Sequence, residues 1–286
     1  MIMPNDFAVF ILTHGRPNRV ATYDSLKKSG YTGKIYLIVD DEDERIEQYR
    51  KKFGNSIIVF DKEGVSKTFD TGDNFDNRGS VVYARNVCFD IANDLGIKHF
   101  IQLDDDYTSF IYKYDERLNY CERPIRNLDG VFSALLKFYL STNALTIAMA
   151  QNGDFIGGKN SSWAKDVRLH RKAMNTFICS TDRPFKFLGR INEDVNTYVQ
   201  LGGRGLLLLT IPNVAIIQRS TQKTKGGMTE LYLDGGTYLK SLYSVMYNPS
   251  CVKIKKMGHK NKRLHHSVSW NNAVPKIIRE DYRAYA

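Results

Sequence analysis

Short apolar runs alternate with amphipathic stretches along the amino-terminal part of the chain. Phe7-Ala8-Val9-Phe10-Ile11-Leu12 is apolar throughout, as a central strand covered on both faces must be. The run breaks at Thr13-His14-Gly15-Arg16-Pro17, and a helix pattern through Val20, Tyr23 and Leu26 follows until Gly30 stops it. Lys34 to Val39, ending at Asp40-Asp41, predicts a second strand; a charged helix then reaches about Phe53, and Ser56 to Phe60 predict a third strand. Residues 61–78 read as a polar surface connection, in which Asp70, Asp73 and Asp76 lack the spacing of an EF-hand loop and are expected to be solvated. A helix through Val82, Ala84, Val87, Ile91 and Ala92 carries Arg85-Asn86 towards His99-Phe100-Ile101-Gln102-Leu103, a strand that stops at Asp104-Asp105-Asp106. Further on, Leu128 to Leu140 predicts an amphipathic helix. Ala144 to Ala150 and Leu206 to Pro212 predict buried strands, and Asn192-Glu193-Asp194 opens a helix through Val195, Tyr198 and Leu201. Polar loops are expected at Gln151 to Asn160, as an ordering lid or a plain surface loop, and at Gln218 to Met228.

This alternation predicts an α/β fold, a doubly wound, mostly parallel sheet with helices on both faces. In such sheets ligands bind beyond the carboxyl ends of the strands, where Thr13 to Arg16, Asp40 and Asp104 to Asp106 would converge. Three adjacent acids cannot continue into an apolar core, so they mark a charged edge that something must neutralise. If the extended backbone persists, Asp104 and Asp106 project to one side and Asp105 to the other. Two such carboxylates suit a hard divalent cation, Mg²⁺ or Mn²⁺, whose remaining positions phosphate oxygens and water can fill. An isolated acidic turn would carry no such chemistry; here the accompanying elements favour the cation. The first turn offers neither G-x-G-x-x-G nor G-x-x-x-x-G-K-[ST], which argues against a dinucleotide dehydrogenase or a P-loop NTPase. Glu193 and Asp194 could supply a general base, or could simply complement a helix dipole behind an Asn cap.

Composition narrows the partners. With 286 residues, 42% of them hydrophobic, the chain can bury a substantial core in one large domain. Cys88, Cys121, Cys179 and Cys251 include no C-x-x-C pair, which speaks against a zinc framework or a disulfide scaffold and for a reducing compartment. Met1 to Asp6 lacks a basic segment followed by a long apolar one, and no later run approaches the roughly 20 apolar residues of a membrane span. A soluble protein of the cytoplasm is the expectation. A formal charge of +10 favours a polyanionic partner. Lys165, Arg168, His170, Arg171 and Lys172 form one basic cluster. Lys253, Lys255, Lys256, Lys260, Lys262 and Arg263 form another, with no acid among them and with His259, His265 and His266 in the same segment. Phosphate backbones attract such clusters, and Trp270 and Tyr247 are candidates to stack a base.

The ordered set of the loop after the first strand, the strand ending in Asp40, Ala84-Arg85-Asn86 and Leu103-Asp104-Asp105-Asp106 resembles a GT-A glycosyltransferase, with its A-R-N helix and D-x-D element, over about residues 7–270. Asn192-Glu193-Asp194 resembles the E-D element that supplies the acceptor-side base in inverting members. Gly157-Gly158, Lys225-Gly226-Gly227-Met228 and the basic tail look most like the phage glycosyltransferases associated with TET-like base oxidation, which modify hydroxymethylated pyrimidines in DNA.

The resemblance implies a GT-A type sheet in one domain over 1–286. Its nucleotide-sugar-binding half would be 1–110, its acceptor-side half 111–250 and its basic segment 251–286. It implies a UDP-sugar donor with Mn²⁺ or Mg²⁺. Asp106 would be the direct metal ligand, Asp104 would share the metal or contact the ribose, and Asp105 would orient their neighbours. Arg85 would approach the diphosphate, and Asp40 would accept from the uracil and ribose edge, with Thr13 and Arg16 beside it. Asp194 is the first choice of base and Glu193 the second. A late histidine, His265 or His266 before His259, would complete the metal shell. DNA carrying hydroxymethylated pyrimidines, foremost 5-hydroxymethylcytosine, is the expected acceptor. The alternatives are a protein or glycan acceptor, a sugar-phosphate nucleotidyltransferase and a non-enzymatic DNA-binding module.

Overall fold

A computed structural model describes residues 3–73, 75, 77–161, 164, 172–218, 229–258 and 262–273. Asp76, Lys165, Arg168, His170, Arg171, residues 219–228, His259 and Lys260 lie outside the described residues. The chain opens with β1 (Phe7–Leu12), α1 (Ala21–Lys28), β2 (Lys34–Asp40), α2 (Ile46–Phe53), β3 (Ile57–Phe60), the short α3 (Lys62–Ser66), α4 (Val82–Asp94) and β4 (His99–Asp104). There follow β5 (Tyr107–Tyr114), β6 (Tyr120–Pro124), α5 (Leu128–Ser141), β7 (Thr146–Gln151), β8 (Thr176–Ser180), α6 (Glu193–Gly203), β9 (Leu208–Gln218), α7 (Thr229–Tyr247), β10 (Val252–Met257), β11 (Arg263–Val268) and α8 (Trp270–Ala273).

Nine strands form one sheet in the order β3-β2-β1-β4-β8-β7-β9-β5-β6, and β10 and β11 form a separate ribbon. The first four are mutually parallel, because helical crossovers connect them; beyond β4 the sheet is mixed, with β8 antiparallel to both β4 and β7, β9 parallel to β7, and β5 antiparallel to both β9 and β6. The chain leaves β1 for β2 on one side and returns to β4 on the other, so a topological switch point opens beside β1. Register sets what meets there, since Leu12 pairs with Ile38 of β2 and with Asp104 of β4.

The unbroken apolar run of β1 is explained by helices on both faces. Ala8, Phe10 and Leu12 pack with Phe100 and with Val82, Val87, Cys88 and Ile91 of α4. Phe7, Val9 and Ile11 pack with Ile101 and Leu103, against Leu26 of α1, Tyr49 of α2 and Phe132 of α5. A strand with one polar face could not satisfy both layers. Among the described residues no helix is long and apolar enough to cross a membrane.

Candidate active site

The acidic edge is a turn clamped from beneath by α1. β4 ends at Asp104, and Asp105-Asp106 turn directly into β5, so strict side-chain alternation stops there. Thr22 donates its amide to the Asp105 carbonyl at 3.2 Å and its hydroxyl to the Asp104 carbonyl at 2.5 Å, while accepting from the Tyr107 amide at 2.9 Å. Ser25 Oγ donates to the Tyr107 carbonyl at 2.8 Å. The backbone of the turn is therefore fixed before any ligand arrives.

The three carboxylates meet different surroundings. Asp105 is 2% exposed and turns into the β1 loop, accepting from Thr13 Oγ1 at 2.7 Å and pairing with Arg16 Nη2 at 3.1 Å. Burial pushes its pKa up to about 6 against the opposing pull of Arg16 and Thr13. Thr13 also shares a hydrogen bond with the Tyr49 hydroxyl at 2.9 Å, and the Arg16 amide donates to that hydroxyl at 2.8 Å. Thr13, Arg16 and Asp105 thus form an internal brace. Asp104 pairs with Arg85 Nη2 at 2.8 Å, yet burial holds its pKa above the ordinary carboxylate value, with Asp194 adding to the rise. Asp106 has no cation within ion-pair distance among the described residues. Burial, then the charges of Asp104 and Asp105, push its pKa up to about 7. Arg16 offsets only part of this rise, and a divalent cation would favour the ionised form further.

At the end of β2, the Asp40 carboxylate is nearly buried between His14 Nδ1 at 2.7 Å and Lys62 Nζ at 3.0 Å. Lys62, itself buried, also reaches Glu42 at 3.6 Å, and Glu42 pairs with Arg78 at 2.5 Å. Asp43 accepts from the Gly15 amide at 2.6 Å. The most exposed member of this group is His14, with its side chain 48% exposed, followed by Glu42 at 36%. Sequence reasoning selected Asp40 and passed over His14 and Lys62, whose link to it crosses from the β1 loop and from α3.

Arg85 does not lie on an exposed helix surface. It is 1% exposed, with its guanidinium carbon 5.0 Å from the centre of the Phe177 ring, and its Nε donates to Glu193 Oε1 at 3.0 Å. It ties the acid turn to the start of α6. Glu193, also buried, has a raised pKa because of that burial, with Arg85 opposing. Asp194 uses Oδ1 to accept from the Val195 amide at 2.7 Å, and no described residue donates to its Oδ2.

Asn192 precedes α6 in the left-handed region at φ +60, a conformation Asn tolerates, and its side chain does not cap the helix. Its Nδ2 donates to Ser244 Oγ at 2.5 Å and to His266 Nδ1 at 3.2 Å, which places the His266 proton on Nε2. His265 is arranged the other way: its Nδ1 donates to the His266 carbonyl at 2.7 Å, leaving Nε2 with a free lone pair. Burial lowers both histidines, His266 to about 3. Among the described residues no three acids, histidines or cysteines are grouped to hold an ion, so neither histidine is gathered with Asp104 and Asp106.

Other expected positions are occupied differently. Asp73 is not solvated but pairs with buried Arg190 Nε at 2.6 Å. Trp270 stacks on Tyr198 of α6 at 5.7 Å between ring centres, and the Tyr247 hydroxyl donates to the Asp70 carbonyl at 3.0 Å, so both are packing residues. Lys172, at the edge of the first basic cluster, pairs with Asp154 at 2.6 Å. The carboxyl-terminal basic run is a two-stranded ribbon, not a tail. A Cys88 or Cys179 nucleophile is excluded, because burial raises both thiols far from the ionised form.

Solved structures similar to the chain include glucosyl-3-phosphoglycerate synthase of Mycobacterium tuberculosis in complex with Mg²⁺ and UDP, at 9% identity over 92% of this chain and 87% of that one, with a TM-score of 0.45. S. aureus TarS 1–349 in complex with UDP-GlcNAc aligns at 14% identity over 84% and 66%, with a TM-score of 0.43. A cytidylyltransferase of Leptospira borgpetersenii aligns at 13% identity over 86% and 88%, with a TM-score of 0.37. A comparison with curated proteins gives no match. Residues 7–227 match the TET-Associated Glycosyltransferase family, and with most of its length so matched the chain belongs to that family.

Proposed function

We propose that the protein moves a sugar from a UDP-sugar to a hydroxymethylated pyrimidine in DNA, 5-hydroxymethylcytosine first, with Mn²⁺ or Mg²⁺ held by Asp104 and Asp106. The donor set fits such an ion. Both groups are hard oxygen ligands, Asp106 has no ion-pair partner among the described residues and a pKa raised to about 7 by burial and its acidic neighbours, and two protein ligands would leave room for phosphate oxygens. When bound, the ion offsets charge that builds on the departing diphosphate. The protein's part is positional. Arg85 holds Asp104 in place, and the Thr13–Arg16–Asp105 brace keeps the β1 loop against the turn. His14, fixed by Asp40, borders the crevice on the side of β2. Asp194 accepts the hydroxymethyl proton at Oδ2, its unoccupied oxygen, for attack that inverts the anomeric centre.

The observation that carries the DNA acceptor is the β10–β11 ribbon. Lys253, Lys255, Lys256, Lys262 and Arg263 are exposed on it, no acid occurs between residues 235 and 279, and none of the five pairs with a described acid. Its His266 contacts Asn192, next to the acids of α6, so cations suited to phosphates lie on an element attached to the proposed base.

Incubation with UDP-sugars, Mn²⁺ and DNA containing hydroxymethylcytosine tests this: one glycosyl unit should be gained on the modified base. Transfer to a protein or glycan instead, or release of pyrophosphate from a nucleoside triphosphate and a sugar phosphate, would overturn it.

A further inference from the structure

Phe75 is 71% exposed, while described residues on both sides of it are tied to the body of the protein. On its amino-terminal side, the Gly189 amide donates to the Asp70 carbonyl at 2.9 Å and the Arg190 amide to the Thr71 carbonyl at 2.8 Å. Asp73 then pairs with buried Arg190, three residues before Glu193. On its carboxyl-terminal side, Arg78 is paired with Glu42, which leads through Lys62 to Asp40. Ser80 Oγ donates to the Arg190 carbonyl at 2.5 Å. The Phe75 amide donates to Asp73 Oδ1 at 3.1 Å and its carbonyl accepts from the Asn77 amide at 2.5 Å. Asp73 and Ser80 are thus both tied to Arg190 at the α6 acid corner and Arg78 to the Asp40 corner, with the exposed Phe75 ring between these anchored residues.

An aromatic ring exposed between anchored residues at the edge of the acid site is available to a flat, stacking partner. We propose that Phe75 is the wedge that fills the stack when the acceptor base leaves the duplex. This rests on the DNA-acceptor reading above. A base whose substituent must reach Asp194 and a sugar donor cannot do so from inside a duplex, so it has to be extruded, and the gap costs stacking on both sides. An apolar ring inserted at that step recovers part of the stacking without reading sequence. The ring then acts on base extrusion alone and touches neither the donor nor the reacting atoms.

The test compares one hydroxymethylcytosine oligonucleotide as a single strand and as a duplex, using the wild type, Phe75→Ala, Phe75→Trp and Leu118→Ala. Leu118 is 72% exposed in the turn at the far end of β5 from Asp106 and serves as the control. Phe75→Ala should lower kcat/KM on duplex about tenfold, the size of one stacking interaction, and leave the single strand unchanged. Phe75→Trp should retain duplex activity, and Leu118→Ala should change neither substrate. A 2-aminopurine beside the target should brighten on binding the wild type and brighten less with Phe75→Ala. Equal loss on both substrates, or no loss on duplex, overturns the wedge while leaving the acceptor standing. A wild type inert on both forms of DNA overturns the acceptor reading, and the wedge with it.

Discussion

Arg85 Nη2 lies 2.8 Å from Asp104 Oδ1, on a guanidinium that is almost wholly buried and whose Nε holds Glu193 at 3.0 Å. One cation thus joins the end of β4 to the start of α6. Removing it would leave two acids facing each other without counter-charge. Arg85→Met should cost about 3–5 kcal/mol of stability. In a double-mutant cycle with Glu193→Gln, the pair should cost less than the sum of the single changes. Urea unfolding measures both, and strict additivity would mean that the two residues do not depend on each other.

The raised acids set the pH dependence of the metal-free protein. Asp106 at about 7 and Asp105 at about 6 bind protons in the folded state that the unfolded chain, at 3.8, has released. Stability therefore falls as pH rises from about 4 to about 7. His14, raised by its hydrogen bond to Asp40, adds stability below its unfolded value of 6.5 that is lost as pH rises through its folded value. Mn²⁺ replaces the protons on Asp106, so it should raise Tm more at pH 8 than at pH 5. Differential scanning fluorimetry at the two pH values checks this, and equal shifts would place the ion elsewhere.

Asp194 and Glu193 adjoin in sequence but differ in surroundings. Glu193 is committed to Arg85, whereas Asp194 keeps Oδ2 open. Asp194→Asn should lower kcat by about 10²–10⁴ with UDP affinity unchanged. Glu193→Gln should act chiefly on stability. A larger kcat loss in Glu193→Gln would reverse the two roles.

Gly189 has φ +77, and a Cβ there would come within 2.5 Å of Asn196 Nδ2 and 2.7 Å of the Tyr247 ring. Gly189→Ala should destabilise by about 1–3 kcal/mol and disturb the approach to α6. Gly15, at φ +67 with nothing within 4 Å of such a Cβ, should lose only the backbone part of that penalty. Thermal melts of the two variants separate steric from conformational cost.

The strands of the nucleotide side were legible because burial on both faces demands apolar runs, as β1 and β4 show. The acid turn was legible because carboxylates end such runs. What the sequence could not reveal were partnerships made across the fold. Asp73 and Arg190 are 117 positions apart, so nothing local distinguishes Asp73 from a solvated acid. Arg85 looks like any helix arginine until β4 and α6 close over it. The bond from Asn192 to Ser244 of α7 and the packing of the basic ribbon on that helix are likewise long-range pairings with no local signature.

The most direct measurement is calorimetric titration of UDP into the protein with Mn²⁺, with EDTA, and into Asp106→Ala with Mn²⁺. Binding should require the ion and weaken at least about tenfold in Asp106→Ala, the loss of one charged ligand contact. UDP binding of equal strength in EDTA, or in Asp106→Ala, would contradict the claim that the acid turn holds the cation gripping the donor.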